Sequence, residues 1–354
     1  MLKKAAALFL VCASMAICVS CGSTSSHYLY AAIPGSNQIV AYREDPNSGV
    51  LTQLTGSPIS AGQAVQSIVI HPSKKFMYAA NSGESDISLY TISSVGVLTE
   101  APRTNVTPDG TAPTLLALDS AGGFLYVGNS GSNNISVFSV DSGTGALAPV
   151  GIPFPIGMTP LNMALSPSGG VLYVTGQGQT NGFIEAFTLA QGVPTVVNNS
   201  PFTTGNSPYG LAIAPGGGFL YTANTVDNSI SEFPINTDGS LGQVNTIGET
   251  NSSPVAVFVE KSGKYLYVAN QGSGNLAAYS IGSDGTLALL TNSPFATGSG
   301  PGSIASDSGG KYMFVGNQTG PVIQSFSLAG STGTLSSVAT YPVPGKPTSI
   351  AITP

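Results

Sequence analysis

Short apolar runs alternate with clusters of Gly, Ser, Asn, Thr and Pro along most of the chain. Around residues 114–150 the alternation reads as four strands: "TLLAL" (114–118, strand a), "FLYVG" (124–128, strand b), "ISVFSV" (135–140, strand c) and "LAPV" (147–150, strand d). "DSAGG" joins a to b and "NSGSNN" joins b to c, both rich in residues that favour tight turns. Both faces of the runs are apolar, as expected of a sheet packed on each side by neighbours.

The same pattern returns. Aligned on the phrase "LY", the chain places an aromatic at Tyr30, Tyr78, Tyr126, Tyr173, Tyr221, Tyr267 and Phe314, at spacings of 48, 48, 47, 48, 46 and 47. Seven repeats in the forties, each holding short β-runs, predict a seven-bladed β-propeller with one four-stranded antiparallel sheet per repeat. The first repeat begins at strand b, "YLYAA" (28–32), without its own strand a, and the chain ends in an orphan one, "TSIAI" (348–352). Placing the terminal strand in the first blade completes seven sheets and closes the ring, which removes the open edges of an incomplete propeller. An Asn heads the b-to-c turn at Asn81, Asn129, Asn224, Asn270 and Asn317. Its expected role is structural, a side-chain hydrogen bond to the backbone two residues on. The repeated Ser-Pro pairs before strand a are read as structural too.

Composition agrees with strands. Only 7% of the 354 residues are charged, against 45 Gly and 25 Pro, and a hydrophobic fraction of 42% suffices for a large core. No window of the body approaches the roughly 18 consecutive apolar residues of a membrane span. The N-terminus differs. Lys3 and Lys4 precede an apolar run from Ala5 to Ile17, followed by small residues, which reads as a secretory signal over 1–20. "ICVSC" resembles the lipobox of bacterial lipoproteins, with Cys18 where that pattern prefers Leu. Lipidated Cys21 and a flexible tether over 21–27 follow, then the propeller over 28–354; the alternative is a plain signal peptide cut near this point. All three cysteines (Cys12, Cys18, Cys21) lie here, so the body has no disulfide to form. The expected location is the cell envelope, membrane contact being through the lipid on Cys21. Of the 10 basic side chains Lys3 and Lys4 leave with the signal, and 8 against 16 acidic ones give −8, which argues against a nucleic-acid partner.

"FLYVGN…ISVFSV…TGAL", with "NSPFTTG" (199–205) and "NSPFATG" (292–298), resembles the seven-bladed lactonase-like propellers, the family that contains 6-phosphogluconolactonase. The resemblance covers residues 28–354. "LYVT" (172–175) is similar to the YVTN repeats of related surface propellers, and the absence of Trp disfavours WD, kelch and quinoprotein blades. The resemblance implies an active site at the mouth of the central channel, built from a His with Arg and Glu partners near the starts of strand a and the ends of strand b. Those positions do not carry such residues. The strand-a starts read Gln66-Ser67, Thr114-Leu115, Leu161-Asn162, Tyr209-Gly210, Val255-Ala256, Gly302-Ser303 and Thr348-Ser349, and the residues after the turn head read Pro34, Ser82, Ser130, Gln177, Thr225, Gln271 and Gln318. The two arginines, Arg43 and Arg103, fall on a strand c ending at the opposite rim and on an outer strand d.

The remaining chemistry is sparse. His71 falls in an a-to-b turn, where other repeats carry Asp119, Ser166, Ala214, Glu260, Asp307 and Thr353, and is expected as a solvated residue far from the mouth. His27 is assigned to the tether. Glu232 replaces the small or apolar residues of other repeats and is expected to be paired with a nearby Lys or turn donor, since an unpaired buried carboxylate is costly. No His/Cys zinc pattern and no Asp-rich calcium loop is visible, so neither metal nor cofactor is expected. The sequence therefore predicts a monomeric, non-catalytic ligand- or protein-binding module. Its mouth would be lined by Gln66, Thr114, Asn162, Tyr209, Ser303, Ser349, Gln177, Gln271 and Gln318, for a sugar- or lactone-like molecule or a peptide. A lactone hydrolase and an envelope adhesion or scaffold propeller are the alternatives.

Overall fold

The structure, a computed structural model, describes residues 26–102, 104–105, 110–178, 180–248 and 251–354. The signal, Cys21, most of the tether and Arg103 lie outside the described residues. Seven antiparallel sheets are present, each in the order a-b-c-d from one edge to the other. In the third blade the strands are Pro113–Leu118, Phe124–Asn129, Asn134–Val140 and Leu147–Pro149, close to the bounds the hydrophobic pattern predicts. Among the described residues no helix is long and apolar enough to cross a membrane.

The first blade is completed by the end of the chain. Strand Ser349–Ile352 pairs with His27–Ile33, Leu29 opposite Ile352 and Ala32 opposite Ser349. The Tyr28 N–H donates to Thr353 Oγ1 and the Thr353 N–H to the Tyr28 carbonyl, both at 2.9 Å. The core lies between blades rather than within them. Phe76, Tyr78 and Leu89 of the second blade form one buried cluster with Leu125, Val127 and Phe138 of the third, and Leu29 and Ala31 of the first join Tyr312 and Phe314 of the seventh. That is why each sheet must be apolar on both faces.

The repeated Tyr of "LY" has a polar task as well. Its buried hydroxyl donates to the carbonyl of the glycine in the c-to-d turn of the next blade: Tyr30 to Gly96, Tyr78 to Gly145, Tyr173 to Gly239, Tyr221 to Gly285 and Tyr267 to Gly333, all within 2.9 Å. Burial pushes the Tyr173 hydroxyl up to about 12, so it stays protonated and keeps donating. The turn Asn residues differ from expectation. Asn81, Asn129 and Asn224 are fully buried and reach across the sheet to strand c, Asn81 Nδ2 to Asp86 Oδ1 and Ser88 Oγ, Asn129 Nδ2 to Asn134 Oδ1 and Ser136 Oγ, Asn224 Nδ2 to Ser229 and Ser231 Oγ. A buried amide needs such partners, and solvated turn geometry does not supply them.

Ser-Pro pairs also have a definite use. In five blades strand d is broken into two pieces that both pair with strand c. At three of the breaks a Ser hydroxyl accepts the strand-c amide that an unbroken strand d would satisfy: Ser57 from Ala41, Ser200 from Ala186 and Ser293 from Ala278. Each of these serines precedes a cis proline.

Candidate functional site

Strand a lines the central channel, and its first residues are displaced by a regular irregularity. In six blades the pairing of a with b shifts by one residue at Val65/Ser67, Pro113/Leu115, Pro160/Asn162, Pro208/Gly210, Pro254/Ala256 and Pro301/Ser303. The skipped residue is a β-bulge, which re-aims its side chain. All six skipped residues, Gln66, Thr114, Leu161, Tyr209, Val255 and Gly302, line one cavity of about 510 Å³, and Thr348 of the first blade completes the ring. Thr225, Gln271 and Gln318, each just past the end of a strand b, also line it, as expected of the rim where b ends and a begins. Deeper in, a second space of about 290 Å³ shares Gln66, Thr114, Asn162 and Thr348 and reaches Ser303 and Ser349.

The sequence therefore locates the mouth but selects its residues unevenly. Gln66, Thr114, Asn162, Tyr209, Gln271 and Gln318 meet in the wide cavity. Gln177 does not line it: its Oε1 accepts the Ser207 N–H at 2.6 Å and its Nε2 donates to the Gly178 carbonyl, tying neighbouring blades. Ser303 lines the deeper space, yet its Oγ is buried without a partner, and Ser349 Oγ accepts the Ile68 N–H of the next blade. Asn162 is committed as well, Nδ2 donating to the Tyr209 carbonyl at 2.6 Å and Oδ1 accepting the Met163 N–H. Leu161, Val255 and Gly302, apolar residues outside the expected ligand set, stand at the same bulged position of their blades as Gln66, Thr114 and Tyr209.

What the mouth offers a ligand follows from what is left unspent. Gln271 Nε2 donates to Gln318 Oε1 at 3.1 Å, leaving the Gln271 oxygen and the Gln318 amide nitrogen open. The Gln66 amide, the Thr114 hydroxyl and the half-exposed ring and hydroxyl of Tyr209 make no side-chain hydrogen bond among the described residues. The described lining is amides, hydroxyls, one phenol and aliphatics, without an ionised group. Such a set donates and accepts hydrogen bonds but neither transfers protons readily near neutral pH nor neutralises a phosphate.

The titratable residues are elsewhere. His71 sits in the a-to-b turn on the opposite rim as predicted, but it is buried rather than solvated. The Ser73 N–H donates to its Nδ1, and its Nε2 donates to the Gly122 carbonyl of the third blade at 3.0 Å, because this turn is an inter-blade contact. His27 is in the first strand, not in the tether, and its Nδ1 lies 2.7 Å from Glu44 Oε2. Glu232 is buried, 3% exposed, beside Asn245 Nδ2 at 3.5 Å rather than a Lys; burial raises its carboxyl above the usual range. Glu185, which the sequence reading did not single out, accepts the Gly157 N–H and is raised by burial too. The clue was available: Gly176 replaces the turn Asn in that repeat, and Glu185 stands where other repeats carry Ser88, Ser136 and Ser231.

The ring of seven blades with its ligand space at the strand-a rim defines the class, a lactonase-type propeller. The family described as "Lactonase, 7-bladed beta-propeller" matches residues 29–159, 156–255 and 246–352, and the chain belongs to it. No curated protein matches. Among solved structures, a candidate 6-phosphogluconolactonase from Bacteroides fragilis superposes with a TM-score of 0.82 at 20% identity, covering 94% of this chain and 99% of its own. The periplasmic gluconolactonase of Pseudomonas aeruginosa gives a TM-score of 0.79 at 20% identity, covering 93% of this chain and 99% of its own. At such identities the likeness is one of fold.

Proposed function

We propose that the protein is an envelope-anchored binding propeller whose mouth takes a neutral, hydroxyl-rich small molecule of the sugar or lactone type. The observation that carries this reading is the ring of six bulged first residues, completed by Thr348, which lines one cavity and supplies uncharged donors and acceptors there. Its volume falls in the range of small-molecule pockets. Tyr209 offers an aromatic face for an apolar ring surface, while Gln66, Gln271 and Gln318 address hydroxyls from the side. Anchoring at Cys21 would hold the opposite rim, where His27 opens the first strand, toward a membrane surface and leave the mouth facing away from it.

Lactone hydrolysis is the second reading, favoured by the family match. Ring opening needs an activated water and stabilisation of a developing oxyanion, and the mouth amides supply donors for the second task without a base for the first. One assay separates the two. Fresh glucono-δ-lactone and its 6-phosphate are mixed with the chain from residue 26 in stopped flow, and binding is followed in parallel by calorimetry with the stable neutral sugar acids and sugars. Saturable binding of a neutral compound with hydrolysis at the spontaneous rate supports the binding reading. Saturable hydrolysis that disappears on mutating mouth residues replaces it with the enzymatic one.

A further inference from the structure

Ring closure assembles three side chains that the sequence scatters. His27 opens the first strand and lies opposite Glu44 at the end of the adjacent strand c, and Asp307 sits in the a-to-b turn of the seventh blade. One nitrogen or oxygen from each lies within 4.8 Å of the others, and all three residues are buried. This is the rim opposite the mouth.

The cluster is built but incompletely satisfied. Asp307 is fixed by three backbone amides, Gly309 N–H to Oδ2 and Lys311 and Tyr312 N–H to Oδ1. His27 Nε2 is 3.2 Å from Ser308 Oγ, a partner that can take its N–H and leave the Nδ1 lone pair facing Glu44 Oε2 at 2.7 Å. Two lone pairs at that separation require a proton or a cation between them. Independently, Glu44 Oε1 is buried with no hydrogen-bond partner among the described residues. Two carboxylates and one imidazole thus converge in a dry place with at most one positive charge among them. Buried carboxylates in that situation are paired or ligate metal.

We propose that His27, Glu44 and Asp307 form a binding site for a first-row divalent cation of the Zn²⁺ class, which ties the first blade to the seventh. One imidazole with two carboxylates suits Zn²⁺ or Mn²⁺ better than Ca²⁺, which takes six to eight oxygens. Ligands of a tetrahedral Zn²⁺ lie about 3.3–3.6 Å apart, given bonds of about 2.0–2.2 Å. Separations between 2.7 and 4.8 Å bracket that spacing, so rotation of the Glu44 side chain suffices to close the set. Ser308 then plays the part expected of an outer partner, holding the other ring nitrogen of the ligating His. A hollow lined by Lys261, Ser306, Asp307, Ser308 and Pro354 reaches the cluster from the rim; the Lys261 ammonium on it is turned to the Ser308 carbonyl. With its three residues buried on the rim opposite the mouth, the site is structural, and no step of the mouth chemistry passes through it.

The test uses the chain from residue 21 carrying Cys21→Ser, so that no thiol competes for metal, stripped with EDTA and then titrated with ZnCl₂, MnCl₂ or CaCl₂. Expected are one Zn²⁺ per chain by elemental analysis and calorimetry, a rise of several degrees in Tm with Zn²⁺, and little response to Ca²⁺. Glu44→Gln and His27→Gln remain folded, and each weakens Zn²⁺ binding by at least about tenfold because one of three ligands is lost. Asp307→Asn, which also disturbs the turn, is read against its own metal-free Tm. Absence of stoichiometric binding of any of the three cations overturns the site, as does Zn²⁺ binding that Glu44→Gln and His27→Gln leave unchanged.

Discussion

The phenolic hydroxyl of Tyr30 donates to the carbonyl of Gly96 at 2.7 Å, across the boundary of the first two blades and 66 residues along the chain. The same bond recurs at four further boundaries, which makes the most conspicuous word of the repeat a rivet between blades. Tyr30→Phe keeps the ring and orphans a buried carbonyl, so it is expected to cost about 1–2 kcal/mol. Gly96→Ala is expected to cost more, because φ at that position is +78° and an added Cβ would overlap the Tyr28 ring. Urea titrations of both variants check the order, and a neutral Gly96→Ala refutes it.

Removing Pro347 to Pro354 takes the inner strand from the first blade and uncovers Leu29 to Ala32, which are wholly buried beneath it. A loss of several kcal/mol, roughly 1.5–3 per large apolar side chain uncovered, is expected to fall on the whole ring, since blades share their cores. The truncated protein should therefore melt in a single transition at much lower temperature. Melting within a few degrees of the full chain would show that the terminal strand is dispensable.

Glu232 gives the pH dependence a sign. Its carboxyl is raised first by burial, against the lowering effect of the hydrogen bond from Asn245, so the folded state favours the protonated form. Its contribution to stability is full below the ordinary glutamate range and is lost as pH rises through the raised value. Glu232→Gln, uncharged at every pH, should thus raise Tm at pH 7 and make no difference near pH 4. Equal Tm values for the two proteins at pH 7, measured by calorimetry, would mean that the carboxylate is better solvated than its 3% exposure suggests.

Cys21→Ser is expected to move the protein from the membrane fraction to the soluble one without altering its melting curve. The first described strand begins at His27, six residues after the proposed attachment point, which is why the melting curve is expected to be unaffected. Fractionation with a carbonate wash decides it, and persistent membrane association would exclude Cys21 as the attachment point.

How far the sequence carried depended on whether a residue's role is local. The blades were legible because the aromatic position, the turn glycines and the strand spacing repeat in register, and the clasp because one strand a was missing at the start and one was left at the end. Burial at blade boundaries was not legible. His27 looks like a tether residue and His71 like a solvated rim residue in a linear reading, yet the neighbouring blade supplies Ser308 to one and Gly122 to the other. The mouth was half legible for a similar reason. Period-two alternation offers two candidates at each strand-a start, and choosing the more polar one picked Asn162, Ser303 and Ser349. In six blades the bulge turns the first of the pair into the wide cavity, so that Leu161 and Gly302 are the counterparts of Gln66 and Tyr209, Thr348 takes that place in the first blade, and Asn162 lines the cavity beside Leu161.

That correction yields the sharpest prediction about the site. If the first positions line the ligand space, side chains added there should block it while leaving the fold alone. Gly302 is the place to add one, since it stands on the ring without a side chain and its nearest neighbour is the end of the flexible Gln318 side chain. Gly302→Leu is therefore expected to abolish binding of the neutral ligand with a Tm within a few degrees of the parent. Tyr209→Ala and Gln66→Ala, which remove one stacking face and one amide, should each weaken binding about tenfold, near 1.4 kcal/mol. Gln177→Ala, whose amide is spent on Ser207 and Gly178, should lower stability instead and leave affinity within about twofold. Calorimetric titration of the four variants against one ligand reads all of this at once. Loss of affinity in Gln177→Ala with none in Tyr209→Ala would place the ligand outside the ring of bulged residues.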